Sequence, residues 1–255
     1  MNPSTITLTD QLRLTTLAHR DHAFVSPLST AKVDQMLTML ELQRGARVLD
    51  VGCGKGEMLV RLAERWGARG VGLDVNPAFL ADARARAEDR ATGAELVFHE
   101  RPAADFPVEP GSFDAVLCVG SVEAFGGYRD ALLGLALIVR RHGRILVGQH
   151  FWRRHPHPDY LGATGRTHDD LTDHPRNVRA GEEAGLVPIC TAVSTEEEWD
   201  RYERRRARAL EEYAAAHHED PEAESLWRHA RRQHEAFEHW GRDTLGFGLY
   251  IFQKR

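Results

Sequence analysis

The chain has 255 residues, 42% of them hydrophobic, which is enough to bury one large core or a core with an insertion. Its formal net charge of −5 argues against a protein that follows nucleic-acid phosphates, because such proteins carry a basic face. Three cysteines without disulfide or zinc spacing fit a reducing compartment, and no stretch approaches the roughly 18 apolar residues of a membrane span. The composition therefore predicts a soluble, cytoplasmic protein that binds neither nucleic acid nor membrane.

Two helices are predicted ahead of residue 45. Leucines at roughly helical spacing predict the first helix, from Thr9 to Arg20. Ser29 can cap a second helix, from Ala31 to Leu42, which has one apolar face. Pro27 separates the two helices because it interrupts the helical pattern.

The next stretch has the pattern of a ligand-binding turn. An apolar run, Val48–Val51, predicts a buried strand and passes directly into the three glycines of Gly52–Gly56, after which Met58–Trp66 forms an amphipathic helix. Glycines let the backbone turn sharply near a ligand, and the helix start offers unpaired N–H groups. A second strand, Gly70–Asp74, brings a carboxylate beside the turn, where a ribose diol could donate to it. The pattern predicts a nucleoside-cofactor site.

The glycine spacing separates two classes of cofactor. A dinucleotide site has G-x-G-x-x-G, with a pyrophosphate at the helix start. Here Glu57 stands at the third glycine position and Asp50 precedes the turn, so two acids make a poor environment for phosphates. The turn suits a ligand with a cationic centre. Val48 to Gly56, together with Asp74, resembles the first two motifs of the class I S-adenosylmethionine-dependent methyltransferases.

The remaining elements agree with the fold that this resemblance implies. Strands that alternate with helices predict a parallel sheet with helices on both faces. The resemblance implies a doubly wound α/β fold, with a mostly parallel seven-stranded Rossmann-like sheet, an antiparallel last strand beside strand six, and a helical cap. Further strands are predicted at Glu95–His99, Ser112–Gly120, Arg144–Gln149, Leu186–Ala192 and Gly246–Phe252, and further helices from Asn76 to Thr92, Tyr128 to Arg141 and Val178 to Gly185.

The resemblance also implies the residues that hold S-adenosylmethionine. They are Asp50, Gly52, Cys53, Gly54, Asp74, Val75, Ala103, Ala104 and Gly120. The turn that binds adenine departs from the family's pattern. Where the family has Gly-Asp-Ala, this chain has Arg101-Pro102-Ala103. Pro102 has neither a side-chain acceptor nor an N–H, so adenine recognition is expected to use the backbone of Ala103 and Ala104, or Asp105.

Two excursions are expected at the cofactor edge of the sheet. About fifty residues separate strands six and seven, where a hairpin needs only two to five, and they predict two helices. The other excursion, from His150 to His174, follows strand five. We therefore divide the chain into N-terminal helices that form part of a lid (1–45), a Rossmann-like core (46–193 and 244–255) and a helical cap (194–243). This layout fits a small, enclosed acceptor pocket.

Two short motifs resemble those of a group of bacterial small-molecule methyltransferase-like proteins. In that group strand five ends in Gly-Glu-Pro-Tyr-Trp, and the chain closes with Trp-Gly-Arg-Asp. The corresponding residues are Gly148–Trp152 and Trp240–Asp243, with departures at Gln149 and His150. This resemblance implies no particular acceptor.

Aromatic side chains are the candidates for acceptor contact. They are Phe24, Trp152, Tyr160, Trp199 and Trp240. The alternative is that the cap aromatics pack their helices together and that Phe24 staples the N-terminal helices. The arginine-rich run from Arg201 to Arg208 predicts a solvated face, because acids interleave with it and Asp200 can pair with Arg204.

Glu123 and His150 are the candidate catalytic residues, because they follow the carboxyl ends of strands four and five. An amine or thiolate attacks a sulfonium methyl group with little help, whereas a phenol, with a pKa of about 10, gains from a base. Each residue has the alternative role of pocket wall or hydrogen-bond anchor. The histidines from 150 to 174 lack a recognisable metal-binding spacing, so no metal is predicted.

The sequence thus predicts an S-adenosylmethionine-dependent methyltransferase that acts on nitrogen, oxygen or sulfur of a small molecule. One alternative is a non-catalytic S-adenosylmethionine-binding sensor or interaction protein, which Pro102 supports. Another is a nicotinamide-dependent dehydrogenase, which Glu57 disfavours. A nucleic-acid methyltransferase would be expected to show an Asn-Pro-Pro-Tyr or Asp-Pro-Pro-Tyr motif, which is missing here. Neither the acceptor nor the oligomeric state follows from the sequence.

Overall fold

The computed structural model describes residues 8–219 and 221–255. Its strands are β1 (Arg47–Val51), β2 (Arg69–Asp74), β3 (Leu96–Glu100), β4 (Phe113–Val119), β5 (Val139–Trp152), β6 (Leu186–Val193) and β7 (Leu245–Lys254). They form one seven-stranded sheet in the order β3-β2-β1-β4-β5-β7-β6. β7 pairs antiparallel with β5 and β6, and the other pairs are parallel. The predicted doubly wound α/β fold is confirmed, with the last strand inserted between β5 and β6.

Helices flank the sheet, and short helical turns follow several strands. The α-helices are α1 (Leu8–Ala18), α2 (Thr30–Thr38), α3 (Glu57–Trp66), α4 (Pro77–Arg90), α5 (Tyr128–Ile138), α6 (Pro158–Thr164), α7 (His174–Glu183), α8 (Glu196–Ala216), α9 (Pro221–Ala236) and α10 (Arg242–Thr244). Single 3-10 turns lie at Ala103–Asp105, Val122–Phe125 and His168–Asp170, and a π-helical turn at Phe237–Gly241. Of the helices in the described ranges, none has the length and apolar content to cross a membrane.

Three helices differ from the prediction by three or four residues at one end. α2 ends at Thr38 rather than Leu42, and the other two are α5 and α7. α5 ends at Ile138 rather than Arg141, because Val139 already pairs with β4 as the first residue of β5. α7 begins earlier than predicted, at His174, because Asp173 caps it and accepts a hydrogen bond from the first turn. The sequence pattern located all three helices but not these ends.

Side chains that alternate along the strands divide the core into two layers. Leu146 on β5 faces the layer that contains α2 and α3, and Val147 faces the layer that contains α5 and α7. β7 contributes Phe247 to the first layer and Tyr250 to the second, and both side chains are fully buried. β7 is thus a central strand, and its nearly continuous apolar sequence reflects burial on both faces.

The N-terminus of α8 is fastened to the segment that begins α2. Thr195 caps α8, and Glu198 completes a capping box with it. The Glu198 carboxylate also accepts a hydrogen bond from the backbone N–H of Ser29 over 3.0 Å, and it forms a salt bridge with Lys32. The N-terminal segment and the helical insertion are therefore in direct contact.

Candidate active site

The glycine turn is held between β2 and the loop that follows β4. The backbone N–H groups of Gly52 and Cys53 both donate to the carbonyl oxygen of Leu73, over 2.8 and 2.9 Å. Gly52 has a φ of 70°, and a Cβ atom at this position would lie 2.0 Å from Oγ of Ser121. Only glycine fits here, because any side chain would meet both the strained φ and the neighbouring loop.

Asp74 stands at the end of β2, with its carboxylate against the turn. Its Oδ2 accepts from the backbone N–H of Gly54 and its Oδ1 from that of Asn76, each over 2.8 Å. Burial raises the pKa of Asp74, although these two donors act in the opposite direction. A carboxylate has about four lone-pair positions, so two remain for a pair of hydroxyl groups.

Asp50 lies at the start of the turn and is almost fully buried, with 3% of its surface exposed. Burial, and then the negative charge of Asp74, raise the pKa of Asp50 to about 7. Within the described ranges, no hydrogen bond to its carboxylate is present, and this carboxylate lines a small cavity. A buried carboxyl group without a partner beside a cavity fits a ligand that carries a cationic or N–H group. S-adenosylmethionine has both an ammonium and a sulfonium group, so the site fits this cofactor.

The N-terminal segment covers that cavity. Phe24, Val25 and Ser26 line it together with the glycine turn and Val119 of β4. Phe24 is buried, and the guanidinium of Arg61 lies over its ring at 5.8 Å from the centroid. Phe24 therefore packs against α3 and lines the cavity, and its contact with the acceptor stays a prediction.

The elements expected to hold adenine lie beyond β2 and β3. Val75 is 47% exposed directly after Asp74. Ala103 and Ala104 belong to a 3-10 turn that begins after Pro102, and Ala103 is partly buried. The structure thus places Val75 and this turn after adjacent strands, as the resemblance implies. The adenine contact itself stays a prediction.

Gly120 and Glu123 follow the carboxyl end of β4. Gly120 has a φ of 75°, and its N–H donates to the carbonyl oxygen of Gly148 over 2.9 Å, which joins the ends of β4 and β5. Glu123 is exposed in the turn Val122–Phe125, in which Val122 is buried. Glu123 is therefore at the predicted edge of the sheet, on the solvent side.

His150 lies in the interior, between β7 and α8. Its ring centroid is 5.0 Å from that of Phe247 and 5.8 Å from that of Trp199. Burial, and then the positive charge of Arg166, lower the pKa of His150 to about 3. Such a ring stays neutral at neutral pH and has little affinity for a proton.

Three of the predicted acceptor-binding aromatics are buried near His150, and one is at the rim. Trp152, Tyr160 and Trp199 are each at most 6% exposed. Trp152 and Tyr160 pack edge to face at 6.3 Å, and Trp199 stacks on Phe237 at 5.3 Å. Trp240 is only partly buried and stacks on exposed His157. The first three share one apolar cluster in which Trp240 takes part only at the edge.

A polar group inside α8 was missed by the sequence interpretation. Arg206 was assigned to a solvated face, but it points inward and bonds Glu203 over 3.4 Å and Gln233 over 3.2 Å. The expected pair of Asp200 with Arg204 is also wrong, since the Asp200 carboxylate bonds Arg242 over 2.5 Å. Trp199, Glu203 and Leu210 recur at helical spacing on the buried face of α8, but this pattern does not determine the direction of Arg206 beside them.

The histidines between β5 and α7 do not form a metal site. His155 stacks on His168 at 4.8 Å, and both are exposed. In residues 8–219 and 221–255, no three His, Cys, Asp or Glu side chains are grouped as metal ligands.

Comparison with known proteins agrees with this site. Residues 48–143 match the family model described as "Methyltransferase domain". The crystal structure of an S-adenosylmethionine-dependent methyltransferase from Geobacter sulfurreducens, in complex with S-adenosyl-L-homocysteine, superposes with a TM-score of 0.88 at 26% identity, over 95% of this chain and 98% of that one. The uncharacterized protein YjhP of Escherichia coli is 27% identical over 95% of this chain and 98% of its own length.

A third relative matches less than half of the chain. The demethylmenaquinone methyltransferase of Thermus thermophilus is 39% identical over 102 residues, which are 40% of this chain and 46% of that one. The match in full-length architecture and the match in the glycine-turn domain point to the same family. Residues 48–143 thus match a methyltransferase domain, and the chain as a whole has the fold of an S-adenosylmethionine-dependent methyltransferase.

Proposed function

We propose that this chain transfers the methyl group of S-adenosylmethionine to nitrogen, oxygen or sulfur of a small molecule held in an enclosed pocket under α8. The supporting observation is the closed position of α8, whose N-terminus bonds Ser29 and Lys32 while Trp199 packs against His150. A helix fastened in this way limits access to the interior. Such a pocket favours a small acceptor over a macromolecule.

The cofactor roles follow from the geometry of the turn. We assign the ribose hydroxyls to Asp74, whose carboxylate is already oriented by the backbone of Gly54 and Asn76. We assign the ammonium group to Asp50, whose buried carboxyl group lacks a partner in the described chain. The adenine is assigned to Val75 and the backbone of Ala103 and Ala104, since Pro102 supplies no acceptor.

The contribution of the protein to the transfer is positioning and the exclusion of water. When bound, S-adenosylmethionine supplies an electrophilic methyl group on a sulfonium whose leaving group departs neutral. The chain orients the reactants from the carboxyl ends of β4 and β5, and the N-terminal segment and α8 keep solvent out. These effects need no charged catalytic residue in the pocket.

The state of His150 favours an acceptor that needs no strong base. A neutral ring with a pKa of about 3 accepts a proton poorly, so we assign His150 to the pocket wall or to a hydrogen bond with the acceptor. Glu123 is exposed beside the cofactor edge and remains the candidate for proton removal. Both catalytic roles stay predictions.

Calorimetric titration with S-adenosylmethionine and S-adenosylhomocysteine tests the cofactor part of the proposal. We expect both ligands to bind, and absence of binding by both would overturn the proposal. Transfer of a radiolabelled methyl group to fractionated small metabolites tests the acceptor part. Label in a protein or nucleic-acid fraction instead would contradict the enclosed pocket.

The non-catalytic alternative is supported by Pro102, which supplies no acceptor for adenine, and by the low pKa of His150. It predicts cofactor binding without methyl transfer to any small molecule. The dehydrogenase alternative loses its support, because the family and the compared structures are methyltransferases.

A further inference from the structure

A buried lysine joins the glycine turn to residues 20–26, which we call the covering segment. Lys55 stands between Gly54 and Gly56, and only 4% of its surface is exposed. Its Nζ donates to the backbone carbonyl oxygen of Arg20 over 2.9 Å and lies 3.3 Å from Oδ2 of Asp82. Because a buried ammonium group is costly without such partners, the contact with Arg20 contributes to holding the covering segment against the turn.

The cavity under the covering segment is too small for the cofactor. Phe24, Val25 and Ser26 line one side of it, and Lys55 lines it together with the rest of the glycine turn. Its volume is about 40 Å³, whereas sites that enclose a small molecule have roughly 300 to 1,000 Å³. The methionine end of S-adenosylmethionine therefore enters this cavity only when the covering segment moves outward.

The hydrogen bonds of the covering segment lead to two parts of the molecule. On the side of α8, Nε2 of His22 lies 3.1 Å from the carbonyl oxygen of Tyr202, and the Arg20 guanidinium pairs with Glu212. On the other side, and within residues 8–219 and 221–255, Lys55 makes the one hydrogen bond between this segment and the glycine turn. Breaking that bond releases the segment from the turn and leaves its contacts with α8 in place.

We propose that Lys55 controls the exchange of the cofactor, because its bond to Arg20 holds the covering segment closed and must break whenever the cofactor enters or leaves. Lys55 acts through the segment, so it is a positioning residue. The inference rests on cofactor binding by this site and is independent of the acceptor that is methylated.

Lys55→Met tests the proposal through two rate constants, those for association and dissociation of S-adenosylhomocysteine, measured by surface plasmon resonance. The bond to Arg20 opposes opening in the free and in the bound protein, so its loss should raise both rate constants by roughly tenfold. The Kd should change less than either rate constant.

Other patterns of the two rate constants contradict the proposal. A damaged turn, or a direct contact between Lys55 and the carboxylate of the cofactor, predicts faster dissociation with unchanged or slower association. Such a result would overturn the proposal, and so would unchanged rate constants.

Lys254→Met is the matched control. Nζ of Lys254 also donates to a backbone carbonyl oxygen over 2.9 Å, that of Val139, at the edge of the sheet opposite to the glycine turn. The control loses a bond of the same kind and should keep both rate constants. An equal rise in both variants would show that the contact between Lys55 and Arg20 is not the cause.

Proteolysis of the free protein provides a second readout. Phe24 is buried, so chymotrypsin cleaves after it only when the covering segment opens, and the cleavage rate follows the population of the open form. Lys55→Met should raise this rate by roughly tenfold, with cleavage after buried Tyr160 unchanged. An unchanged rate after Phe24, or an equal rise after Tyr160, would overturn the proposal. If Lys55→Met does not fold, Lys55→Gln, which is uncharged and one bond shorter, is measured in the same way.

The two proposals fail in different ways. Absence of S-adenosylhomocysteine binding by the unsubstituted protein would reject the proposed function. Binding with the same rate constants in the unsubstituted protein and in Lys55→Met would reject only the role of Lys55.

Discussion

The hydroxyl of Tyr202 lies 2.7 Å from Nε2 of His19 and joins α1 to α8 in the interior. Nδ1 of the same ring lies 2.7 Å from the carbonyl oxygen of Thr15, so Nδ1 carries the proton and Nε2 accepts from the tyrosine. The bond from Tyr202 requires a neutral imidazole, because a protonated Nε2 has no lone pair with which to accept it. This contact between the N-terminal segment and α8 therefore depends on pH.

His19 is expected to make the fold less stable in acid. Burial, and then Arg206, lower its pKa from 6.5 to about 3, so between these values the unfolded chain binds more protons. Stability is present above pH 6.5 and is lost as the pH falls below it, by roughly 1.4 kcal/mol between pH 7.5 and 5.5. Urea unfolding at the two pH values should show a smaller change for His19→Gln than for the unsubstituted protein.

His218→Gln is the control, because His218 is exposed with 78% of its side-chain surface accessible. It should keep the full pH dependence. An equal reduction in both variants would show that His19 is not the titrating group.

Asp50 is expected to weaken cofactor binding in acid. Its pKa of about 7 means that the carboxylate is mostly protonated at pH 6 and mostly ionised at pH 8. Because the ionised form attracts an ammonium group, affinity for S-adenosylmethionine should rise roughly tenfold between these values. Asp50→Asn should bind weakly and with little pH dependence, as measured by calorimetry. A pH dependence that persists in the variant would assign it to another group.

The pKa of Asp50 also affects the free protein. Since its folded pKa lies above its unfolded value of 3.8, the folded state binds more protons between pH 3.8 and about 7. The contribution of Asp50 to stability therefore falls as the pH rises through this range, and Asp50→Asn should remove that fall.

Gly52→Ala is expected to disrupt the turn through two separable effects. The new Cβ atom would lie 2.0 Å from Oγ of Ser121, and the φ of 70° strains any L-residue. Together these should lower the free energy of unfolding by about 2–4 kcal/mol. Ser121→Gly in the same chain should recover the part due to the clash and leave about 1 kcal/mol of backbone strain. If the changes in the free energy of unfolding caused by Gly52→Ala and Ser121→Gly simply add in the double variant, the inferred clash between these two residues is wrong.

The fold could be predicted because its signals are local. The apolar run into Gly52 and the acid at Asp74 specify strand, turn and cofactor edge, and alternation with helices specifies a parallel sheet. The direction of Arg206 could not be predicted in the same way. Its neighbours in sequence are charged, and whether it points to water or to Glu203 depends on α9 and α6, which only the folded chain brings close.

Asp74→Ala is expected to weaken binding of S-adenosylhomocysteine by roughly 10- to 100-fold, because the ribose hydroxyls lose the charged carboxylate that accepts their hydrogen bonds. Calorimetry of both cofactor forms measures this. Asp89→Asn serves as the control, since Asp89 is exposed on α4. An unchanged Kd for Asp74→Ala would remove this carboxylate from the ribose role.

Glu57 occupies the position at which a dinucleotide-binding turn has its third glycine. Substituting Glu57 tests whether its charge acts on the cofactor or stabilises the fold. The sequence interpretation gave its charge an electrostatic role at the turn, but its buried carboxylate bonds Arg61, Arg86 and Arg90 over 2.6 to 2.9 Å. Burial alone would raise the pKa of Glu57, but hydrogen bonds from Arg90 and Arg86 keep it lowered. The charge is thus neutralised between α3 and α4.

Glu57→Ala should therefore reduce stability and leave cofactor affinity nearly unchanged. Removing a buried partner of several arginines is expected to lower the free energy of unfolding by about 3–5 kcal/mol. Glu64→Ala, which removes a partly exposed partner of Arg90 alone, should cost less than about 1 kcal/mol. The contrary result is a higher Kd for S-adenosylmethionine in the folded Glu57→Gln variant, because it would mean that the Glu57 charge attracts the cofactor's cationic groups. Glu64→Gln is the control, and its Kd for S-adenosylmethionine should equal that of the unsubstituted protein.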